Sequence, residues 1–386
     1  MLDKLLPCSA LAAGAAGLSP ALKEVITVLM GASPADVPMA LKIDGPGLLA
    51  ELRAQGLSPW VYRRLAGLAL EGAISPQLRP GLQHDYALAL KASTRQDRET
   101  HLLIRALSTA GVGVIMLKGA DLRRRVYEDP ACRPMVDLDL LVSPGDKNLA
   151  EMVFMDLGYR LSPEFVDPRP GFRERFRREL HFNPPPGLSL LIDLHWRLEY
   201  VGGFHYLPFL QLQDLAVPRD YQGLPVKVLS PEHLLMHLAL HAWDEFHGAL
   251  QIIDFALVLQ FLPLDWPRFL TEVDRCRCRA PVYLVLREVS RIFPGSVPVE
   301  VLQELAGYCP GWAETLVLRR PLGYFTRHFA LLYHQRRLSD WVFYISSLLW
   351  PRPQYLAAVY GQPDRLKFLR QFLATLFSAA KTWRPH

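Results

Sequence analysis

The chain has 386 residues, 50% of them hydrophobic, which supplies ample material for a buried core and implies two or three domains at roughly 150 residues each. With 43 Lys and Arg against 38 Asp and Glu, the net charge of +5 permits a nucleotide, RNA or acidic partner without selecting one. Five cysteines in no regular framework exclude a disulfide scaffold and fit a reducing cytoplasm; Cys276 and Cys278 lack the second pair that would complete a zinc site.

Met1 to Leu18 is Ala-rich, but Asp3 beside Lys4 and the interruption at Pro7 argue against a secretion signal, and Leu18-Ser19-Pro20 reads as the lead-in to a helix. No stretch of about 20 residues is free of charge and proline, so no transmembrane helix is expected, although Trp341 to Trp350 is apolar. From Ala21 to Ala110, Leu, Ala and Val recur at helical spacings, with breaks at Gly31 to Pro38 and Gly56 to Pro59.

The character changes at Gly111. Val112 to Leu117, Met135 to Val142 and Leu188 to Leu198 are strand-like runs, separated by helical patterns at Asp121 to Tyr127 and at Asp146 to Leu157, the latter capped by Gly158. The Pro184-Pro185-Pro186-Gly187 turn predicts an antiparallel pair between His181-Phe182 and Leu188 to Asp193, hence a mixed sheet. After Leu229 the pattern is helical to the end, with Ser230 as N-cap and Pro231 at the first helical position. The expected fold is α+β: a helical N-terminal region (1–110), a small mixed-sheet core (111–230) and a helical C-terminal domain (231–386).

Asp137-Leu138-Asp139 stands at the end of an apolar strand-like run, eighteen positions after Gly119. Alternate strand residues point to one side, so both carboxylates converge while Leu138 faces the core. In Leu191 to Trp196 the same alternation puts Asp193 and His195 on one face and Ile192 and Leu194 on the other. Buried acids are costly unless paired or bound to a cation, and two divalent ions about 4 Å apart are what nucleotidyl transfer requires. Gly119, before a helix, lets backbone amides approach a phosphate.

This ordered set resembles the DNA polymerase beta-like nucleotidyltransferase superfamily, marked by a glycine turn, a helix, Asp-x-Asp on the next strand and a third acid later. More narrowly, Leu117-Lys118-Gly119-Ala120-Asp121-Leu122, Tyr127-Glu128-Asp129-Pro130, Arg133 and Val136 to Val142 look like the bacterial uncharacterised nucleotidyltransferase family, over roughly Ala110 to Asp254. The resemblance implies a transferase moving a nucleoside monophosphate from an NTP such as ATP to an acceptor, with release of pyrophosphate. It further implies two Mg2+ or Mn2+ ions held by Asp137, Asp139 and Asp193, and a nucleotide bound by Lys118, Gly119, Ala120 and Arg133. The acceptor is left open among a small molecule, a peptide, a protein and RNA. One departure matters: the superfamily usually has Ser where this chain has Ala120, so Lys118 is expected to supply charge instead. The alternative is a catalytically inactive nucleotide-binding or scaffold protein on the same fold.

Other residues are weighed beside these. His195 either touches the acceptor or packs beside Trp196. Arg123, in Arg123-Arg124-Arg125, and the run Arg173 to Arg178 either receive anions or form a solvated helix face. His233, His237 and His241 stack on one helix face, with His247 and Asp254 downstream; core packing is expected over zinc, with His241 and Asp254 buttressing the nucleotide pocket. Ile253-Asp254-Phe255 hints at a kinase, but no glycine-rich loop accompanies it. The tail from Arg336 to Leu349 reads as a packed helix rather than a membrane-surface one.

Overall fold

The computed structural model describes residues 17–31, 46–68, 72, 74–200, 203–246, 248–318, 324–333, 335, 337–361 and 363–370. Residues 1–16, most of the Gly31 to Pro38 break, His247 and Arg336 lie outside the described residues.

Helices α1 (Pro20–Gly31), α2 (Pro46–Ala54), α3 (Ser58–Gly67) and the 31-residue α4 (Arg79–Thr109) precede β1 (Val114–Met116). Then follow α5 (Lys118–Arg125), β2 (Asp137–Val142), α6 (Lys147–Asp156), β3 (Arg160–Leu161), α7 (Phe172–Phe176), β4 (Glu179–Asn183), β5 (Leu191–His195), β6 (Leu198–Tyr200) and β7 (His205–Leu207). After α8 (Phe209–Leu215) comes the hairpin β8 (Val217–Tyr221) and β9 (Leu224–Val228). The chain continues through α9 (Pro231–Asp244), α10 (Ala249–Phe261), α11 (Trp266–Arg275), α12 (Arg279–Ile292), α13 (Val299–Ala306), α14 (Trp312–Leu318), α15 (Tyr324–Tyr333), α16 (Leu338–Leu349) and α17 (Pro353–Tyr360). Ser230 caps α9 by accepting from the His233 amide, with Pro231 just inside the helix.

The fold is α+β, and the main sheet is mixed: seven strands in the order β3-β4-β5-β2-β1-β9-β8. The Pro184 to Gly187 turn joins β4 and β5 antiparallel, while β2 and β5 run parallel with Asp139 opposite Asp193. Several element bounds shift from expectation. The Asp-x-Asp pair opens β2 rather than closing a run, the Leu188 to Leu198 run splits into β5 and β6, and α5 begins at Lys118 instead of Asp121.

Strand alternation divides the sheet into two faces. Leu138, Leu140, Val142, Leu180, Phe182, Ile192 and Leu194 pack with α4 residues Leu103, Ile104 and Leu107 and α6 residues Ala150 and Phe154. On the other face, Ile115 and Leu141 join a larger apolar cluster that includes α1, α3, α9, α10 and α12. Asp137, Asp139, Asp193 and His195 share a face with Leu141 by alternation, so the acids lie between the sheet and the C-terminal helices.

Helix α4 holds the starts of both acid-bearing strands. Gln96 Nε2 donates to the Met135 carbonyl just before β2, at 2.8 Å. Glu99 accepts from the amides of Ser189 (2.9 Å) and Leu190 (2.8 Å) just before β5. A single rigid helix thus sets the level at which Asp139 and Asp193 face each other.

Candidate active site

Asp139 is the hub of the site and is 3% exposed. Its Oδ1 accepts from Lys118 Nζ at 2.7 Å and lies 3.1 Å from His195 Nε2. The other ring nitrogen of His195, Nδ1, is 2.9 Å from Glu179 Oε2. Across the same face, His181 Nε2 is 3.6 Å from Asp193 Oδ1. Among the described residues, Asp139, Asp193 and His195 form the group whose ligand atoms all fall within 4.8 Å of one another. Asp137, expected as a ligand beside them, stands outside that group, at the opening residue of β2.

The electrostatics push these groups apart. Burial raises the Asp193 carboxyl, and the charges of Asp139 and Asp137 add to it, bringing it up to about 7. Asp139 is more deeply buried than Asp193, but Lys118 and His195 outweigh burial and hold it well below the usual carboxylate range. Burial opposes a charged His195, yet hydrogen bonds to Asp139 and Glu179 lift it to about 9, consistent with both ring nitrogens donating. Burial likewise opposes ionisation of Glu179; Arg178 and His195 reverse that and depress it. Near neutral pH the apposed carboxyls therefore differ, one held ionised and one poised to exchange a proton.

The turn after β1 differs in detail from the expected glycine turn. Lys118 takes φ of +42°, a left-handed conformation uncommon for a side chain with Cβ, and this aims its ammonium at Asp139. Gly119 serves close approach: a Cβ there would come within 3.1 Å of Met135 Cγ and 3.7 Å of Arg133 Nη1. Ala120 packs into the apolar cluster with Leu138 and Leu140, so its methyl faces the core beneath the sheet.

The remaining candidates separate into those at the cleft and those that are not. Arg133 grips Asp254 through two parallel bonds, Nε to Oδ1 at 2.9 Å and Nη2 to Oδ2 at 3.0 Å, and Tyr127 donates to the same carboxylate at 2.7 Å. This ties the loop before β2 to α10. His241 lines the cleft and sits 3.1 Å from Gln251 Nε2. Arg123, left open between anion binding and a solvated helix face, is buried: it is 1% exposed, its Nη1 donates to Gln96, and α4 covers it. Arg124 pairs with Asp97, and Arg125 with Asp121. Arg173 is held by Glu151 and Asp167.

The three stacked histidines of α9 go to different partners: His233 to Glu272, His237 to Tyr200 and His241 to Gln251. Cys276 and Cys278 are buried free thiols, pushed up by burial. In the tail, α16 packs Phe343 and Tyr344 against Phe172 and Phe176 of α7.

Sequence reading did not assign Glu179 and His181 to the site, yet the signal was present. The hairpin over Pro184 to Gly187 places Glu179 opposite His195 and His181 opposite Asp193, so counting back across the turn reaches both. The resulting cleft of about 150 Å³ is lined by Lys118, Glu179, His181, Asp193, His195 and Tyr200, among others.

Residues 42–294 match the family described as "Uncharacterised nucleotidyltransferase". No curated protein matches the chain. Among solved structures, the chain is similar to the antibiotic-resistance factor ANT(2'')-Ia, at 15% identity and a TM-score of 0.31 over 63% of this chain and 97% of that one. It is also similar to an antigenic nucleotidyltransferase-like protein from Paracoccidioides brasiliensis, at 14% identity and a TM-score of 0.35 over 55% and 94%. A tRNA nucleotidyltransferase, solved with a primer tRNA and an ATP analogue, matches at 14% identity and a TM-score of 0.18 over 72% and 99%.

Proposed function

Because the chain belongs to the uncharacterised nucleotidyltransferase family, we propose that it transfers a nucleoside monophosphate from an NTP, with ATP the expected donor, to an acceptor hydroxyl and releases pyrophosphate. The observation that carries this reading is the parallel register of β2 and β5, which sets Asp139 opposite Asp193 on one face with His195 beside them.

The donor set fits a divalent cation: two carboxylates and an imidazole offer ligand atoms within 4.8 Å of one another, and Asp137 stands two residues away on the same face. Asp139, Asp193 and His195 would hold the ion, His195 only once its Nε2 has given up the proton it shares with Asp139, with Mg2+ or Mn2+ proposed and Asp137 available to a second. When bound, such ions neutralise charge developing on the transferred phosphoryl group and orient it.

The chain's own residues supply the rest. Asp193, which faces the cleft opposite Asp139, takes the proton from the acceptor hydroxyl at its carboxylate oxygen. The acceptor oxygen bonds to the α-phosphorus, the α–β bridging bond breaks, and its electron pair leaves with pyrophosphate. Lys118, at the start of α5, supplies fixed positive charge beside the triphosphate, and Arg133 lies within reach of the same turn. Glu179 keeps His195 oriented toward Asp139.

The test is to mix purified protein with each NTP and Mg2+ or Mn2+ and follow nucleotide binding and pyrophosphate release. We expect metal-dependent binding that Asp139→Asn abolishes; identical behaviour of both proteins sinks the proposal. A second reading, a nucleotide-binding scaffold without turnover, is favoured by Ala120 turning into the core and by Lys118 already occupying Asp139. Nucleotide binding by calorimetry, with no pyrophosphate from any acceptor pool, would select it.

Among the described residues, no helix is long and apolar enough to cross a membrane. The free buried thiols of Cys132, Cys276 and Cys278 support our placing the protein in the cytoplasm.

A further inference from the structure

The cleft and the hub of the acid face do not coincide. Lys118, Asp193 and His195 line the cleft, whereas Asp139 lies behind them, its side chain 3% exposed. Lys118 Nζ at 2.7 Å and His195 Nε2 at 3.1 Å both meet the same oxygen of Asp139, Oδ1. A cation that enters from the cleft and bridges Asp193 to Asp139 therefore meets the Lys118 ammonium on its way.

Ion and ammonium compete for one carboxylate. Hard divalent cations take carboxylate oxygens as ligands, and an ammonium 2.7 Å from such an oxygen repels a second cation placed on it. Charge holds the lysine there. Burial opposes its ionisation, yet Asp139, Asp137 and Glu179 outweigh burial and raise it above its ordinary value. A divalent ion settling among the same carboxylates supplies the charge they draw from Lys118, and the ammonium loses its main attraction to them. Its side chain is 19% exposed, lines the cleft and has a flexible four-carbon stem, so it can turn outward without moving the backbone. The left-handed turn at φ of +42° roots that stem at the first residue of α5, the end of the helix that the proposed transfer gives to the triphosphate.

We infer that Lys118 is an exchangeable counter-ion: the metal ion displaces its ammonium from Asp139, and the displaced ammonium turns to the triphosphate. This rests on the transfer reading above. Ion and triphosphate then bind cooperatively, because the ion releases the cation that the triphosphate uses, and the triphosphate keeps that cation away from Asp139. A lysine that served phosphate binding alone would leave the ion's affinity untouched. One that merely braced the fold would weaken the ion site when removed.

The test titrates Mn2+ into the full chain without nucleotide and reads free Mn2+ by electron paramagnetic resonance. Lys118→Met should bind Mn2+ at least tenfold more tightly than the native chain, while Lys118→Arg, which keeps the charge, should not. In the native chain, trace acetylation of Lys118, read by mass spectrometry, should rise at least threefold at saturating Mn2+ and fall again when a non-hydrolysable ATP analogue is added. Equal or weaker Mn2+ binding by Lys118→Met, a matching gain in Lys118→Arg, or acetylation that ignores Mn2+ or the analogue overturns the inference. Acetylation needs no variant, so a Lys118→Met chain that fails to fold leaves the test decisive. Mn2+ bound equally by the native chain and Lys118→Met overturns the exchange alone and leaves the metal centre standing. No Mn2+ bound by either, with or without the analogue, overturns the transfer reading as well.

Discussion

The two faces of the central sheet are made by the same strands and obey opposite rules. One face of β2 and β5 carries Leu138, Leu140, Ile192 and Leu194, all fully buried against α4 and α6. The other carries Asp137, Asp139, Asp193 and His195, with Glu179 and His181 added by β4. The apolar face gains free energy from every side chain it covers, at roughly 25 cal/mol per Å². The acid face gathers four carboxylates against Lys118, His195, His181 and Arg178; pairing outweighs burial at Asp139 and Glu179, and burial outweighs pairing at Asp193. Along β2 and β5 the packing residues and the acids are thus separated by a single residue step, with Leu141 alone on the acid side joining the larger apolar cluster.

That contrast is broken most sharply at two adjacent positions. Asp139→Asn removes the charge of the acid face's hub while keeping its shape, and we expect pyrophosphate release to fall roughly a thousandfold or more, with some stability also lost because buried Lys118 and His195 lose their charged partner. Leu140→Ala, the next residue, should do the reverse: about 2–5 kcal/mol of stability lost to a cavity between β2 and α4, measured by urea unfolding, with nucleotide affinity retained under native conditions. Equal effects of the two substitutions on both readouts would contradict the division.

A third substitution asks whether the two faces are mechanically linked. Glu99 lies beneath the apolar face, yet it fixes the start of β5 through the Ser189 and Leu190 amides. Glu99→Gln weakens these charge-assisted bonds and should cost about 1–2 kcal/mol. If α4 sets the level of Asp193, Mn2+ affinity measured by electron paramagnetic resonance should also fall, although no ligand has been altered. A stability loss with unchanged Mn2+ affinity would make α4 a packing element only.

What was legible in the sequence follows from how far each feature depends on distant chain. Alternation is local, so that Asp193 and His195 point the same way from their strand, and Asp137 and Asp139 the same way from theirs, could be read directly. The hairpin at Pro184 to Gly187 was equally local, and it implied Glu179 and His181 for anyone counting back from Asp193. That β2 would lie beside β5 in parallel was not readable from alternation, because residues 143 to 190 intervene. Which of Arg123, Arg124 and Arg125 faces inward is unreadable for the same reason: the burial of Arg123 depends on Gln96, 27 residues earlier. Lys118 was read as a cation beside a glycine turn, whereas the left-handed residue is the lysine itself.

Asp121 offers the mildest version of the acid-face problem, one buried carboxyl facing one guanidinium, Arg125, at 3.1 Å. Burial raises it to about 6 despite Arg125. An unfolded aspartate titrates near 3.9. Between these values the folded chain binds the proton that the unfolded chain releases. This group therefore lowers stability as pH rises from about 4 to 6, by up to about 3 kcal/mol, and adds no slope above that. Asp121→Asn removes the slope and leaves a constant offset from the altered Arg125 contact. Relative to the native chain, the variant should thus gain stability on going from pH 4 to pH 7, which unfolding curves at the two pH values measure as a double difference. A change of opposite sign would mean that Arg125 outweighs burial. The tension on the acid face would then belong to crowded carboxylates, not to buried ones in general.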